Sequence, residues 1–329
     1  MISRYYAKAG LQNQPKTQEE IDFAIVATVL LIMTDIGCDL ASNARLNILE
    51  SIQGYLRTST IHAVDILSGL AGLIGPLVLD DSDLSQDLAS NCGDIIVQQQ
   101  EASGGWRSPT KISTRTRGPL TGFSHGTSGI AAALLKLYQV TRHDRFADAA
   151  YRALAYERST FDLEAANWPD LRVGEALNSF GRSWCHGAPG ILLSRLIIRS
   201  LGLGDSLIDH EINMAKTASI DVIKRMSDSD GPITSNICCG FFGISSILRL
   251  ESRLSMTALS PLIQAAEANL ISLAREQNGY PFGDSLFRII DMPGLLTGNA
   301  GIALALLEAA EGSDWLPFVL SSALLEPQI

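Results

Sequence analysis

The sequence predicts an all-α protein, an α/α toroid in which an outer ring of helices surrounds an inner one. Three observations carry that expectation. Period-two alternation is scarce along the 329 residues, so strands are not expected. A Gly-x-x-Gly element recurs five times, beginning at Gly69, Gly126, Gly187, Gly240 and Gly298, at intervals of 57, 61, 53 and 58 residues. Each copy is followed directly by Leu or Ile and a long apolar stretch, and stretches with one polar face lie between them.

Taken in order, residues 18–34 and 45–56 read as helices that no Gly-x-x-Gly introduces. Residues 1–60 are therefore expected to be N-terminal helices, a degenerate or truncated start to the ring, with the toroid proper over 61–329. The apolar run 23–34 is bracketed by Asp22 and Asp35. About 20 apolar residues are needed to cross a bilayer, so this run predicts a buried helix rather than a transmembrane one. Beyond it, 130–140, 191–200, 244–254 and 302–310 are apolar nearly all round and predict inner helices. The stretches 145–158, 212–226 and 262–277 repeat apolar residues at three- and four-residue steps and predict outer helices. Glycines at the start of each inner helix let the backbone turn sharply and let a helix or ligand approach closely.

Composition narrows the function. Hydrophobic residues make up 46% and charged residues 18%, enough apolar surface for a large core and too much for a disordered chain. Lys plus Arg is 25 against 35 Asp plus Glu, a net charge of −10 without basic runs, which argues against nucleic acid or an anionic membrane as partner. The N-terminus lacks a secretory signal. Five cysteines, two of them adjacent at Cys238 and Cys239, suit reduced thiols or a metal in a cytoplasmic protein better than a disulfide framework.

The chemistry-bearing residues stand just before the repeated glycines: Asp65, His125, Cys185 with His186, and Cys238 with Cys239. In a toroid all of these fall at one end of the inner barrel and converge on its axis. Three thiolates suit zinc, and three protein ligands leave a fourth position open, the mark of a catalytic site. Adjacent cysteines cannot face one point from within a helix, where successive side chains diverge by about 100°, but they can from a loop. The plain alternative is that the cysteines are small buried hydrophobes. His186 is a competing ligand, ranked below the three thiols. His125 reads as an acid/base residue, against the ordinary reading of a satisfied core histidine. Asp65 reads as its orienting partner, as a second proton carrier, or as a helix-capping carboxylate. Trp184 and Arg182 flank Cys185 and are placed to shape the pocket or to steady an anionic intermediate. Cys38, Cys92, His62, His143 and His210 fall out of phase and read as structural or surface residues.

These residues carry a resemblance. Trp184-Cys-His-Gly-Ala-Pro-Gly190, Cys238-Cys-Gly240 and Gly122-Phe-Ser-His-Gly126 resemble the signatures of the lanthionine synthetase C-like cyclases. The adjacent cysteine pair, Tyr156-Glu-Arg-Ser159, Asn167-Trp-Pro-Asp-Leu-Arg172 and Pro293-Gly-Leu-Leu-Thr-Gly298 are similar to the cyclase half of bacterial class II lanthipeptide synthetases. The resemblance implies a zinc-dependent peptide cyclase with Cys185, Cys238 and Cys239 as zinc ligands. It implies that peptide cysteines add to dehydroalanine or dehydrobutyrine, closing lanthionine or methyllanthionine rings. By the same resemblance His125 does the proton transfer with Asp65 assisting, the substrate is a dehydrated precursor peptide, and a dehydratase domain or subunit acts first. Two other readings stand beside it. One is a non-catalytic remnant that binds zinc and peptide. The other is a toroidal glycoside hydrolase, which needs paired carboxylates where the repeat offers only Asp65.

Overall fold

The computed structural model describes residues 42–59, 62–107, 116–172, 179–227, 234–282, 290, 293–313 and a few isolated positions beyond. The helix expected over 18–34 and Cys38 lie outside the described residues. Among the described residues ten helices follow in order: α1 (Ser42–Thr58), α2 (Ala71–Leu79), α3 (Asp83–Gln98), α4 (Thr127–Thr141), α5 (Asp144–Ser159), α6 (Ala188–Ser200), α7 (Ile208–Ser227), α8 (Phe241–Leu254), α9 (Pro261–Gln277) and α10 (Asn299–Glu311). Between residues 116 and 187 the described residues form four isolated antiparallel bridges.

The chain is an α/α toroid. Inner helices α2, α4, α6, α8 and α10 pack each against the next, and the outer helices α3, α5, α7 and α9 cover them. Burial follows the sequence pattern. Eleven consecutive residues of α4, Thr127 to Leu137, are buried, as are all those of α6 from Ala188 to Ile198. The outer α5 buries a single stripe, Phe146, Ala147, Ala149, Ala150, Ala153, Leu154 and Glu157. Each Leu or Ile so placed contributes about 1.5–3 kcal/mol of burial, which fixes the inner ring firmly.

The five glycine pairs have one shared mechanical reason. The loop before each inner helix folds back over the helix's first turn. A Cβ on the second glycine would collide with the carbonyl of the residue six positions earlier: Ile66 for Gly72, Phe123 for Gly129, Trp184 for Gly190, Ile237 for Gly243 and Leu295 for Gly301. Gly187 has the further demand of φ 132°, where an L side chain is strained. The five loops are also linked to one another. Ile66 N–H donates to Ser124 O at 3.0 Å, Phe123 N–H to Trp184 O at 3.3 Å, and Cys238 N–H to Leu296 O at 2.9 Å. Between the third and fourth loops the link is made by sulfur, Cys185 Sγ to Cys238 O at 3.3 Å. Side chains far apart in sequence are thereby held at one end of the barrel.

A buried ionic cluster locks these helices behind the loops. Arg195 of α6, fully buried, donates through Nη2 to Glu157 of α5 at 2.9 Å and through Nε to Glu211 of α7 at 3.0 Å. Glu157 also accepts from Gly122 N–H at 3.2 Å and from the Ser128 hydroxyl, so one carboxylate holds both flanks of the turn that carries His125. Arg158 joins Glu211 to Asp205 at the rim, at 2.8 and 2.6 Å.

Candidate functional site

Cys185, Cys238 and Cys239 come together where the third and fourth loops meet. Their sulfurs stand 2.7 Å (185 to 238), 3.5 Å (238 to 239) and 4.0 Å (185 to 239) apart. Among the described residues, no other group of three His, Cys, Asp or Glu is close enough to share a metal ion. Cys238 and Cys239 can point the same way because both precede α8, in the turn where Cys239 N–H donates to Asn236 Oδ1 at 2.8 Å. Cys185 is buried, Cys238 half-buried and Cys239 exposed.

The thiols are electrostatically interdependent. Hydrogen bonds from Cys185 and Cys238 outweigh burial and hold the Cys239 thiol well below its ordinary value. The hydrogen bond with Cys238 and burial raise Cys185 well above its ordinary value, and Cys238 is pushed up to about 12. A divalent ion is what lets all three ionise together. The donor set fits zinc. Tetrahedral bonds of about 2.3 Å set sulfurs about 3.8 Å apart, close to two of the three separations, and the third pair is crowded nearer.

Asp65 and His125, from the first and second loops, are paired. Asp65, 1% exposed, accepts from His125 Nδ1 at 3.0 Å and from the Ser68 N–H and hydroxyl at 2.7 and 2.9 Å. Its oxygens thus serve both the His125 ring and the turn at Ser68. The His125 ring stacks on His186 at 5.4 Å between centroids. His186 borders a cavity of about 430 Å³ that Cys239, Asp170, Arg172 and Arg182 also line. Burial, then Arg172, lowers His186 to about 4, which keeps it neutral, and its buried Nδ1 has no hydrogen-bond partner among the described residues. The pocket thus gathers Cys239 and His186, with His125 and Asp65 behind them. Trp184 is buried and packs on Phe123 at 6.3 Å, and of the two residues flanking Cys185 it is Arg182 that lines the cavity.

The sequence signature of the lanthionine synthetase C-like proteins matches residues 27–320. The chain belongs to that family. It is 26% identical over 123 residues to the lacticin 481/lactococcin biosynthesis protein LcnDR2 of Lactococcus lactis subsp. lactis, a match spanning 36% of this chain and 12% of that protein. In three dimensions it is similar to nisin cyclase, with a TM-score of 0.64 at 19% identity, covering 92% of this chain and 80% of the other. That likeness carries the fold.

Within this family member, sequence reasoning missed Asp170 and Arg172 as part of the pocket wall. Arg172 Nη2 meets Asp170 Oδ2 at 2.5 Å, and Asp170 N–H donates to Ser179 O at 2.8 Å. Both residues lie in the motif 167–172, whose family likeness is visible in the sequence while its place in the pocket is not. Of the out-of-phase residues that are described, Cys92 is fully buried, His62 packs edge-on against Tyr55 at 5.0 Å, and His143 and His210 are exposed. Among the described residues no helix is long and apolar enough to cross a membrane.

Proposed function

We propose that the chain is a zinc-dependent lanthipeptide cyclase, which joins peptide cysteine thiols to dehydroalanine and dehydrobutyrine to form lanthionine and methyllanthionine thioethers. The observation that carries the reading is three thiols within mutual reach next to a carboxylate-held histidine, on loops of a lanthionine synthetase C-like toroid. Residues 61–329 form the cyclase unit and 1–60 lead into it. The substrate is a precursor peptide already dehydrated by a separate domain or subunit, in the cytoplasm.

Cys185, Cys238 and Cys239 would hold the zinc. Bound there, it supplies a Lewis acid that lowers the pKa of a peptide thiol at its open position. The chain's own residues manage the rest. Asp65 takes the Nδ1 hydrogen bond of His125, which leaves Nε2 to exchange protons with the substrate. The sulfur–carbon bond forms at the β-carbon as the π pair of the dehydro residue shifts toward its carbonyl. His125 accepts the proton released by the peptide thiol and returns one to the α-carbon, so the addition is redox-neutral and atom-balanced. The neutral His186 beside it adds no competing charge.

The test pairs metal analysis with thiol alkylation. The purified chain should hold one zinc, and Cys239→Ala should lose it. With a dehydrated precursor each ring closed protects one cysteine from alkylating reagent, which mass spectrometry counts. Stoichiometric zinc without any ring formation would favour the non-catalytic remnant, and ring formation that survives removal of the metal would sink the zinc reading.

A further inference from the structure

A second cavity of about 380 Å³ adjoins the thiol pocket, and Ser179, Phe180 and Arg182 line both. We propose that it is a subsite for an acidic segment of the peptide substrate, gripped by Arg182 and Arg225. The identity of the ligand as peptide rests on the cyclase reading; the preference for acidic side chains rests on the cavity's own residues.

Continuity comes first. A peptide whose reacting cysteine lies at Cys239 has its flanking residues led past Phe180 and Arg182 into the second cavity. An extended chain advances about 3.3 Å per residue, so the residues received there lie within a few positions of the reacting one. The floor is apolar where backbone and β-carbons would rest, on Ala166, Phe180, Ala218 and Val222.

Charge decides the class of ligand. The other charged side chains on the two walls are already matched: Asp170 with Arg172 at 2.5 Å, and Asp221 with Lys224 at 2.9 Å. Arg182 and Arg225 are exposed and meet no carboxylate among the described residues. In a chain of net charge −10, two unmatched guanidinium groups facing one cavity make a local cationic site. Their planar forks suit carboxylates, which they can bind through paired hydrogen bonds.

The same geometry gives the motif 167–172 a purpose. Asn167 lines the second cavity, while Asp170 and Arg172 line the first. The bridges Asp162 to Asn167 and Pro169 to Phe180 hold this segment against the common wall.

The experiment uses the full chain and two short fluorescent peptides. Both carry serine in place of the reacting cysteine, one flanked by glutamates and one by lysines, and binding is read by anisotropy at low and physiological salt. The glutamate probe should bind at least ~10-fold more tightly and weaken with salt. Arg225→Glu, at the exposed end of α7, should erase that preference, Arg225→Lys should keep most of it, and Arg182→Glu should act in the same direction. Equal binding of the two probes overturns the proposal, as does a folded Arg225→Glu chain that binds the glutamate probe with unchanged Kd. Because the probes have no cysteine, the outcome is independent of zinc and ring closure. A failure of the cyclase reading appears instead in the metal and alkylation assays.

Discussion

Helix α6 and the loop that leads into it carry two buried polar clusters with opposite character. Around Arg195 every charge is met: Nε by Glu211, Nη2 by Glu157, and Nη1 by the hydroxyls of Ser128 and Ser194 at 3.3 and 3.5 Å. Around Cys185, ten residues earlier, three sulfurs have chiefly one another, His186 Nδ1 has no partner among the described residues, and a cavity opens beside them. Buried polar groups are ordinarily satisfied, so a saturated cluster is scaffold and an unsaturated one is poised for a ligand. On this view the first cluster should govern stability and the second should govern metal and turnover.

The largest effect expected falls on the thiols. Cys239→Ala should take zinc from one per chain to near none and ring formation to background, with the circular dichroism of the toroid unchanged. Loss of helicity in that variant would show that the thiols are scaffold too and would break the contrast. Next comes His125→Asn, expected to slow ring closure by about 10²–10⁴-fold with zinc content intact, the usual contribution of a positioned acid/base. Equal loss of metal in this variant would assign His125 to the ligand set instead.

Arg195→Met tests the other side. It leaves Glu157 buried without its cation and Glu211 with only Arg158, at a cost of about 3–5 kcal/mol in urea unfolding. A change under about 1 kcal/mol would mean that Glu157 is neutral without Arg195 and that the cluster is not the lock described. Since Glu157 also holds Gly122 N–H and Ser128, hydrogen exchange should rise selectively over residues 120–126 while zinc stoichiometry stays at one.

How much of this was readable depends on phase. The inner helices were legible because apolar residues run all round them, yet their starts were misplaced by about three residues. Helices expected over 130–140, 244–254 and 302–310 run Thr127–Thr141, Phe241–Leu254 and Asn299–Glu311. The expected ranges begin just after the second glycine of each pair. It lies in the first turn, where only glycine lets the loop carbonyl pass. The three cysteines, His125 and Asp65 were legible because they precede the repeated glycines. Asp170 and Arg172 were not, because they reach the pocket from the irregular stretch between α5 and α6, which no period describes. Glu157 was hidden for another reason. A carboxylate on an amphipathic outer helix ordinarily faces water, and only tertiary packing against Arg195 reveals it as fully buried.

The smallest effect sharpens where the saturated cluster ends. Burial pushes Asp205 and Glu211 up, but hydrogen bonds from Arg158 outweigh it and hold both below their ordinary values of 3.8 and 4.5. A carboxylate depressed in the folded state gives stability that is complete above its unfolded pKa and is lost as pH falls through the folded one. The stability gap between the native chain and Arg158→Met should therefore be constant above about pH 5 and shrink below about pH 4. Urea midpoints at neutral pH and at about pH 3.5 measure it. A gap that stays the same or widens in acid would mean that Arg158 acts through packing of its stem over α7 rather than through its two carboxylates. The ionic cluster would then stop at Arg195, leaving the rim pair as surface decoration.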